Sequence, residues 1–179
     1  MMRTPARFFQ LGYVCADLDQ AIESLSPAQS SPFLILDVAS LGGDPDNPIR
    51  RIALAYLGAI NIELIEIDPE RDSIFRSALP AEASHGPHHF GYLVDNDADW
   101  AAIVEAIERD GTWAMSGEVE GTLKYLYADR RTDLGQFVEY VKLDEGGRAL
   151  FANVPRGMLT LTAGLQSARA TKENRNVCE

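Results

Sequence analysis

Gln10, Glu63, His89 and Glu139 each carry a side-chain atom that can donate a lone pair to a metal ion, and they occupy matching places in two copies of one pattern. One copy is His88-His89-Phe90-Gly91-Tyr92-Leu93-Val94. Its aromatic and β-branched residues predict a strand, entered from Ser84-His85-Gly86-Pro87 and left at Asp95-Asn96-Asp97. The other is Gln10-Leu11-Gly12-Tyr13-Val14-Cys15. Aligning Gln10 with His89 brings Gly12 onto Gly91 and Tyr13 onto Tyr92. About fifty residues beyond each lies a second matching strand, Ile62-Glu63-Leu64-Ile65 and Val138-Glu139-Tyr140-Val141. This is an internal duplication. Three oxygen donors and one imidazole suit a borderline or hard divalent ion: zinc, nickel, cobalt, manganese or iron. Such a set leaves coordination room for substrate. An ion there could polarise a carbonyl, so that a neighbouring carboxylate can move the proton beside it.

Taken singly, none of the four is unusual. A Glu in an alternating strand normally faces solvent, and a lone His is more often structural than a ligand. Their equivalence across the repeat is what marks them. Adjacent strand residues point to opposite faces, which predicts that His88 faces away from whatever surface His89 faces. His85 is expected to be an ordinary loop residue.

The elements that position the four follow from pattern. Phe8–Cys15 is a strand. Asp17 caps a helix over 17–25, with Leu18, Ala21, Ile22 and Leu25 on one face. Strands are expected over 33–39, 50–57 and 59–67, with Gly58 as a turn and a loop over 41–48. A linker over 68–87 contains a short helix near 73–79. The order then repeats: strand 88–94, helix 97–110 stopped by Gly111, and strands 112–119, 122–128 and 136–143. Gly117, Gly121, Asp129 and Gly135 mark turns. Both helices pack on the outer face of the sheets. A C-terminal helix over 146–154 rests Leu150 and Phe151 on the sheet, and 171–179 is expected to be mobile. The class is α+β: two β-α-β-β-β modules, 8–67 and 88–143, in one domain over 1–143, followed by a helix and tail over 144–179.

Composition narrows the function classes. A net charge of −11 argues against nucleic acid and against anionic membrane surfaces. No apolar run approaches the roughly 20 residues of a spanning helix. Two isolated cysteines, Cys15 and Cys178, suit a reduced, cytoplasmic setting better than a disulfide framework.

Two β-α-β-β-β units bearing ligand-type residues on the first and last strand of each resemble the vicinal oxygen chelate superfamily. That group includes glyoxalase I, methylmalonyl-CoA epimerase, extradiol dioxygenases and bleomycin resistance proteins. The resemblance rests on QLGYVCADLD (10–19), IELIE (62–66), HHFGYLV (88–94) and FVEYV (137–141), and covers roughly positions 8 to 143. It implies a curled mixed sheet around a cup, formed within one chain or across a homodimer. It also implies one divalent ion held by Gln10, Glu63, His89 and Glu139, the set shown by zinc-type glyoxalase I. The implied activity is that of a metal-dependent isomerase, lyase or epimerase acting beside a carbonyl or thioester of a small substrate. By the same resemblance Glu139 is the first choice for the base and Glu63 the second.

Departures narrow the substrate. Glutathione-binding glyoxalases usually carry Arg, Asn and Arg where this chain has Val14, Ile67 and His85, which points away from a glutathione-linked substrate. Extradiol dioxygenases use His where Gln10 stands. Epimerases usually have a further Glu in the first half, whereas the loop over 40–49 offers only Asp44 and Asp46. Val14, Ile67 and Phe137 on the pocket-facing strands suggest an apolar substrate. The alternative reading is a metal-free protein that sequesters a small molecule, of the bleomycin-resistance type.

Overall fold

The computed structural model describes residues 5–25, 32–40 and 46–157. The first module contributes β1 (Arg7–Cys15), α1 (Leu18–Leu25), β2 (Leu34–Asp37), β3 (Ile49–Leu57) and β4 (Ile60–Ile67). The second contributes β5 (Gly86–Leu93), α2 (Asp97–Asp110), β6 (Trp113–Val119), β7 (Leu123–Arg130) and β8 (Gln136–Leu143). A helix, α3 (Glu145–Ala152), and a short strand, β9 (Arg156–Gly157), follow. The sheet runs β2-β3-β4-β1-β5-β8-β7-β6, with β9 pairing parallel to β3. Exchanging the modules maps that order onto itself in reverse, so the duplication read from sequence is a two-fold relation in space. The β1–β4 and β5–β8 pairs are parallel and the remaining pairs within this order antiparallel, which makes a mixed sheet that curls into a half-barrel.

Helices α1 and α2 close the convex side. Leu18 and Ala21 of α1 are buried with Cys15, Ala53 and Leu64. Asp17 starts this helix by accepting a hydrogen bond from the Gln20 N–H at 3.0 Å. Ile103 and Ile107 of α2 are buried with Val94, Leu126 and Ala128. Asn96 caps α2 by accepting from the Asp99 N–H at 2.9 Å, and Gly111 ends it in the left-handed conformation that an L side chain resists. Helix α3 is not part of this layer: its Phe151 meets Phe9 at 5.8 Å between ring centroids, and the Phe9 ring lies on the Gln10 side of Gly91.

Several expectations need correction. The second strand is shorter than 33–39, and β5 begins two residues before His88. The linker helix is a single 3-10 turn, Arg76–Ala78. Gly117 and Asp129 lie inside β6 and β7 rather than in turns. Gly117 is there for space: a Cβ at this position would sit 2.3 Å from the Tyr125 hydroxyl. Gly58, Gly121 and Gly135 do have positive φ, as turn positions require. The 41–45 segment, Cys178 and the expected mobile tail lie outside the described residues.

On the concave side a second core forms. Val14, Ile65, Ile67, Tyr127 and Phe137 are buried together with Phe75 of the linker. Val14 and Ile67 are fully buried, so they belong to this core and do not line a pocket. The linker thus covers part of the cup. An open cleft of about 510 Å³ remains between Ser73 and Ile74 on one side and Trp113, Arg131 and Phe137 on the other.

Candidate metal centre

Register places the four candidates. On β1, Gln10 pairs with Asn61 of β4 on one side and Gly91 of β5 on the other, and Gly91 pairs with Glu139 of β8. One rung along, Gly12 pairs with Glu63 of β4 and with His89 of β5. Directly paired residues share a face, so Gln10, Glu63, His89 and Glu139 all stand on the concave face at the centre of the sheet. All come from one chain.

Each row needs a glycine at its middle. A Cβ at Gly12 would lie 1.8 Å from His89 Cε1, and a Cβ at Gly91 would lie 2.7 Å from Gln10 Oε1. The two glycines are equivalent in the duplication, and each leaves room for the other module's candidate ligand.

Glu63, His89 and Glu139 offer donor atoms within 4.8 Å of one another. His89 Nε2 is 3.2 Å from Glu63 Oε2 and 3.2 Å from Glu139 Oε2. Donors held about 2.0–2.2 Å from one ion stand roughly 3–3.5 Å apart at tetrahedral or octahedral angles, so these spacings fit. Gln10 Oε1, Glu63 Oε2 and His89 Nε2 are buried, and none has a directed hydrogen-bond partner. Leaving such atoms unsatisfied costs about 1–3 kcal/mol each, a large share of the roughly 5–15 kcal/mol that holds a domain folded. Glu63, His89 and Glu139 bring such atoms to one place, which a cation would satisfy. The other end of Gln10 is fixed, because its Nε2 donates to Asn61 Oδ1 at 2.9 Å. Asn61 is itself fully buried.

The electrostatics agree. Burial pushes the His89 imidazolium to deprotonate, yet the charges of Glu139 and then Glu63 overturn this and raise its pKa to about 9. The cation these carboxylates hold in the protein alone is therefore the imidazolium, and a metal ion would replace its proton. Burial raises the Glu63 carboxyl, His89 pulls it back, and Glu139 pushes it up again. Tyr127, opposite Glu139 across the β7–β8 pair, has its phenol pushed well above the usual range by burial and by the charges of Glu139 and Glu63.

His88 was expected on the opposite face. It is not there. Gly12 pairs with His89 while Tyr13 pairs with Pro87, so His88 is the extra residue of a β-bulge. The bulge turns both histidines to the concave side. His88 is buried, stacked on Phe137 at 4.9 Å and packed against Phe75 at 4.7 Å. Asn61, Tyr127 and His88 are the residues that sequence reasoning did not assign to the site. Asn61 and Tyr127 were findable from register, being two residues before Glu63 and directly across from Glu139. His85 lies apart, tied to Ser24 and Ser84 beside α1.

A curled mixed sheet of two β-α-β-β-β modules with its candidate centre on the concave floor is the vicinal oxygen chelate fold. Solved structures bear this out. Methylmalonyl-CoA epimerase from Mycobacterium tuberculosis superposes with a TM-score of 0.58 at 16% identity, over 83% of this chain and 96% of that one. A methylmalonyl-CoA epimerase in complex with methylmalonyl-CoA and NH4+ gives 0.55 at 18% identity, over 78% and 95%. A hypothetical protein from Bacillus halodurans gives 0.58 at 14% identity, over 79% and 97%. No protein-family model matches the chain, and no curated protein does. Among the described residues no helix is long and apolar enough to cross a membrane.

Proposed function

We propose that the protein is a metal-dependent, glyoxalase-like enzyme that moves a proton beside the carbonyl or thioester of a small organic substrate. The observation that carries this is the set of buried donor atoms without hydrogen-bond partners, Gln10 Oε1, Glu63 Oε2 and His89 Nε2, beside Glu139. Gln10, Glu63, His89 and Glu139 would hold one divalent ion. Bound there, the ion would supply Lewis acidity, making a proton next to a carbonyl easier to remove. The chain's own residues do the rest. Glu139 takes the proton and returns it, with Glu63 as the alternate carboxylate on the same centre. Asn61 holds the Gln10 amide so that its oxygen stays turned inward. Phe75 and the linker keep water from the buried side of the site.

Thioesters are the favoured class, because fold neighbours are solved as methylmalonyl-CoA epimerases and one holds methylmalonyl-CoA. A glutathione-linked substrate is disfavoured. Val14 and Ile67 stand where cationic or amide contacts would be needed, and both are buried. The homodimer and the cytoplasmic setting expected from sequence are part of the same proposal. A monomer mass in light scattering at micromolar concentration would contradict the dimer.

The test is solvent exchange. Protein loaded with Co2+ or Zn2+ is incubated in D2O with a panel of acyl-CoA thioesters and 2-oxoaldehyde adducts. Deuterium entering the carbon beside the carbonyl, lost with Glu139→Gln, supports the enzyme. No exchange with any substrate, together with ligand binding that survives Glu139→Ala, leaves a sequestering protein instead.

A further inference from the structure

His88 is buried and its ring is fully engaged. Its Nε2 lies 3.3 Å from the Ile74 carbonyl oxygen, and its Nδ1 lies 3.1 Å from His89 Nδ1. The Ile74 carbonyl can only accept, so His88 Nε2 must carry the hydrogen. A neutral His88 then has a bare Nδ1, which can only accept. His89 Nδ1 must therefore donate to it. His89 therefore carries a hydrogen on Nδ1, and Nε2, which faces Glu63 and Glu139, is the nitrogen whose proton a metal would displace.

We propose that His88 is a positioning residue: anchored by the Ile74 carbonyl, it accepts from His89 Nδ1 and fixes the ring orientation and tautomer in which His89 Nε2 is a metal donor. The inference rests on the metal reading above and assigns His88 a role within it. Ligating histidines commonly need such a partner on the other ring nitrogen, and it is usually a carboxylate or a backbone carbonyl. Here a second histidine relays a backbone carbonyl across the bulge.

The other module shows that the fold does not require His at this place. The β1–β5 register slips a second time between Phe8 and Gln10, making Phe9 a bulged residue beside Gln10 as His88 is beside His89. The two bulges are equivalent in the duplication. In the first module the slot holds a buried phenylalanine, next to a Gln whose amide is already fixed by Asn61. In the second it holds a histidine, next to a ring that nothing else on that side would fix.

Two measurements on the full chain test this. The first is 15N NMR of the metal-free wild-type imidazoles at neutral pH. The expected result is His88 protonated on Nε2 and bare on Nδ1, with His89 protonated on Nδ1. A His88 protonated on Nδ1 overturns the proposal. The second is Zn2+ titration of variants. His88→Phe, the residue the first module uses, should keep the fold by circular dichroism and weaken Zn2+ about 10- to 100-fold. His88→Asn, whose Oδ1 can replace the bare Nδ1, should recover most of that loss. Zn2+ affinity in His88→Phe within about threefold of wild type overturns the proposal. Wild-type protein that binds no Zn2+ but shows the expected tautomers sinks the metal reading and with it the role assigned to His88. Should His88→Phe not fold, the wild-type tautomers decide alone.

Discussion

Gly12 faces His89 across the β1–β5 pair so closely that a single added methyl would lie 1.8 Å from Cε1 and 2.2 Å from Nε2 of the ring. The glycine is part of the site. Its φ is unexceptional, so space, not backbone freedom, demands it. Gly12→Ala must push the imidazole out of the buried centre or shift the strand. We expect a loss of about 1–3 kcal/mol in urea unfolding, as overpacking a tight core costs, and loss of any thermal shift on adding Zn2+. Unchanged stability and an unchanged Zn2+ response would show that His89 does not occupy this space.

Asn61 should matter through Gln10. It accepts from Gln10 Nε2 at 2.9 Å and donates to the Ala55 carbonyl at 3.4 Å. Asn61→Ala leaves the Gln10 amide without its partner and frees it to rotate. The expected cost is about 1–3 kcal/mol in stability, with a Zn2+ affinity between that of wild type and that of Gln10→Ala. Calorimetric titration of the three proteins orders them.

Glu63 and Glu139 are expected to separate in function. Glu139→Gln should lower deuterium incorporation into a thioester substrate by at least about 100-fold, the usual size of a general-base contribution. Glu63→Gln should act mainly through weaker metal binding and be partly rescued by excess metal. Rescue of Glu139→Gln by metal, with no rescue of Glu63→Gln, would exchange the two roles.

Away from the site, acid sensitivity is expected at Glu66. Arg51 grips it at 2.6 and 2.9 Å, and the Leu18 N–H that opens α1 donates to it at 3.1 Å. The Arg51 hydrogen bonds, followed by that N–H, hold its carboxyl below the usual range against the opposing effect of burial. A carboxyl depressed in the folded state contributes stability above its unfolded pKa and loses it as pH falls through the folded value. Urea unfolding from pH 6 down to pH 3 should therefore fall less steeply in Glu66→Gln than in wild type. Parallel acid limbs would contradict this.

Much of this was legible before any coordinates. The repeat announced itself through paired Gly-Tyr steps, and helix ends were marked by Asp17 and Gly111. The four candidate ligands could be aligned because the modules kept similar spacing, 63 − 10 = 53 and 139 − 89 = 50 residues. What stayed hidden was local irregularity. A strict two-residue period put His88 on the wrong face, because a bulge is one unpaired residue and leaves no mark in the strand's composition. Gly117 looked like a turn, since a glycine required by a neighbour's bulk reads the same as one required by φ. The burial of Val14 and Ile67 could not be foreseen either: it depends on Phe75 folding back from a linker whose contacts are all non-local.

The most direct test is metal content. Protein purified without chelator is analysed for divalent ions alongside the Glu63→Ala/Glu139→Ala double variant. One tightly held ion per chain in wild type, absent from a double variant that still folds, is the expected result. Wild-type protein that carries no ion and shows no thermal shift with zinc, nickel, cobalt, manganese or iron would contradict the account.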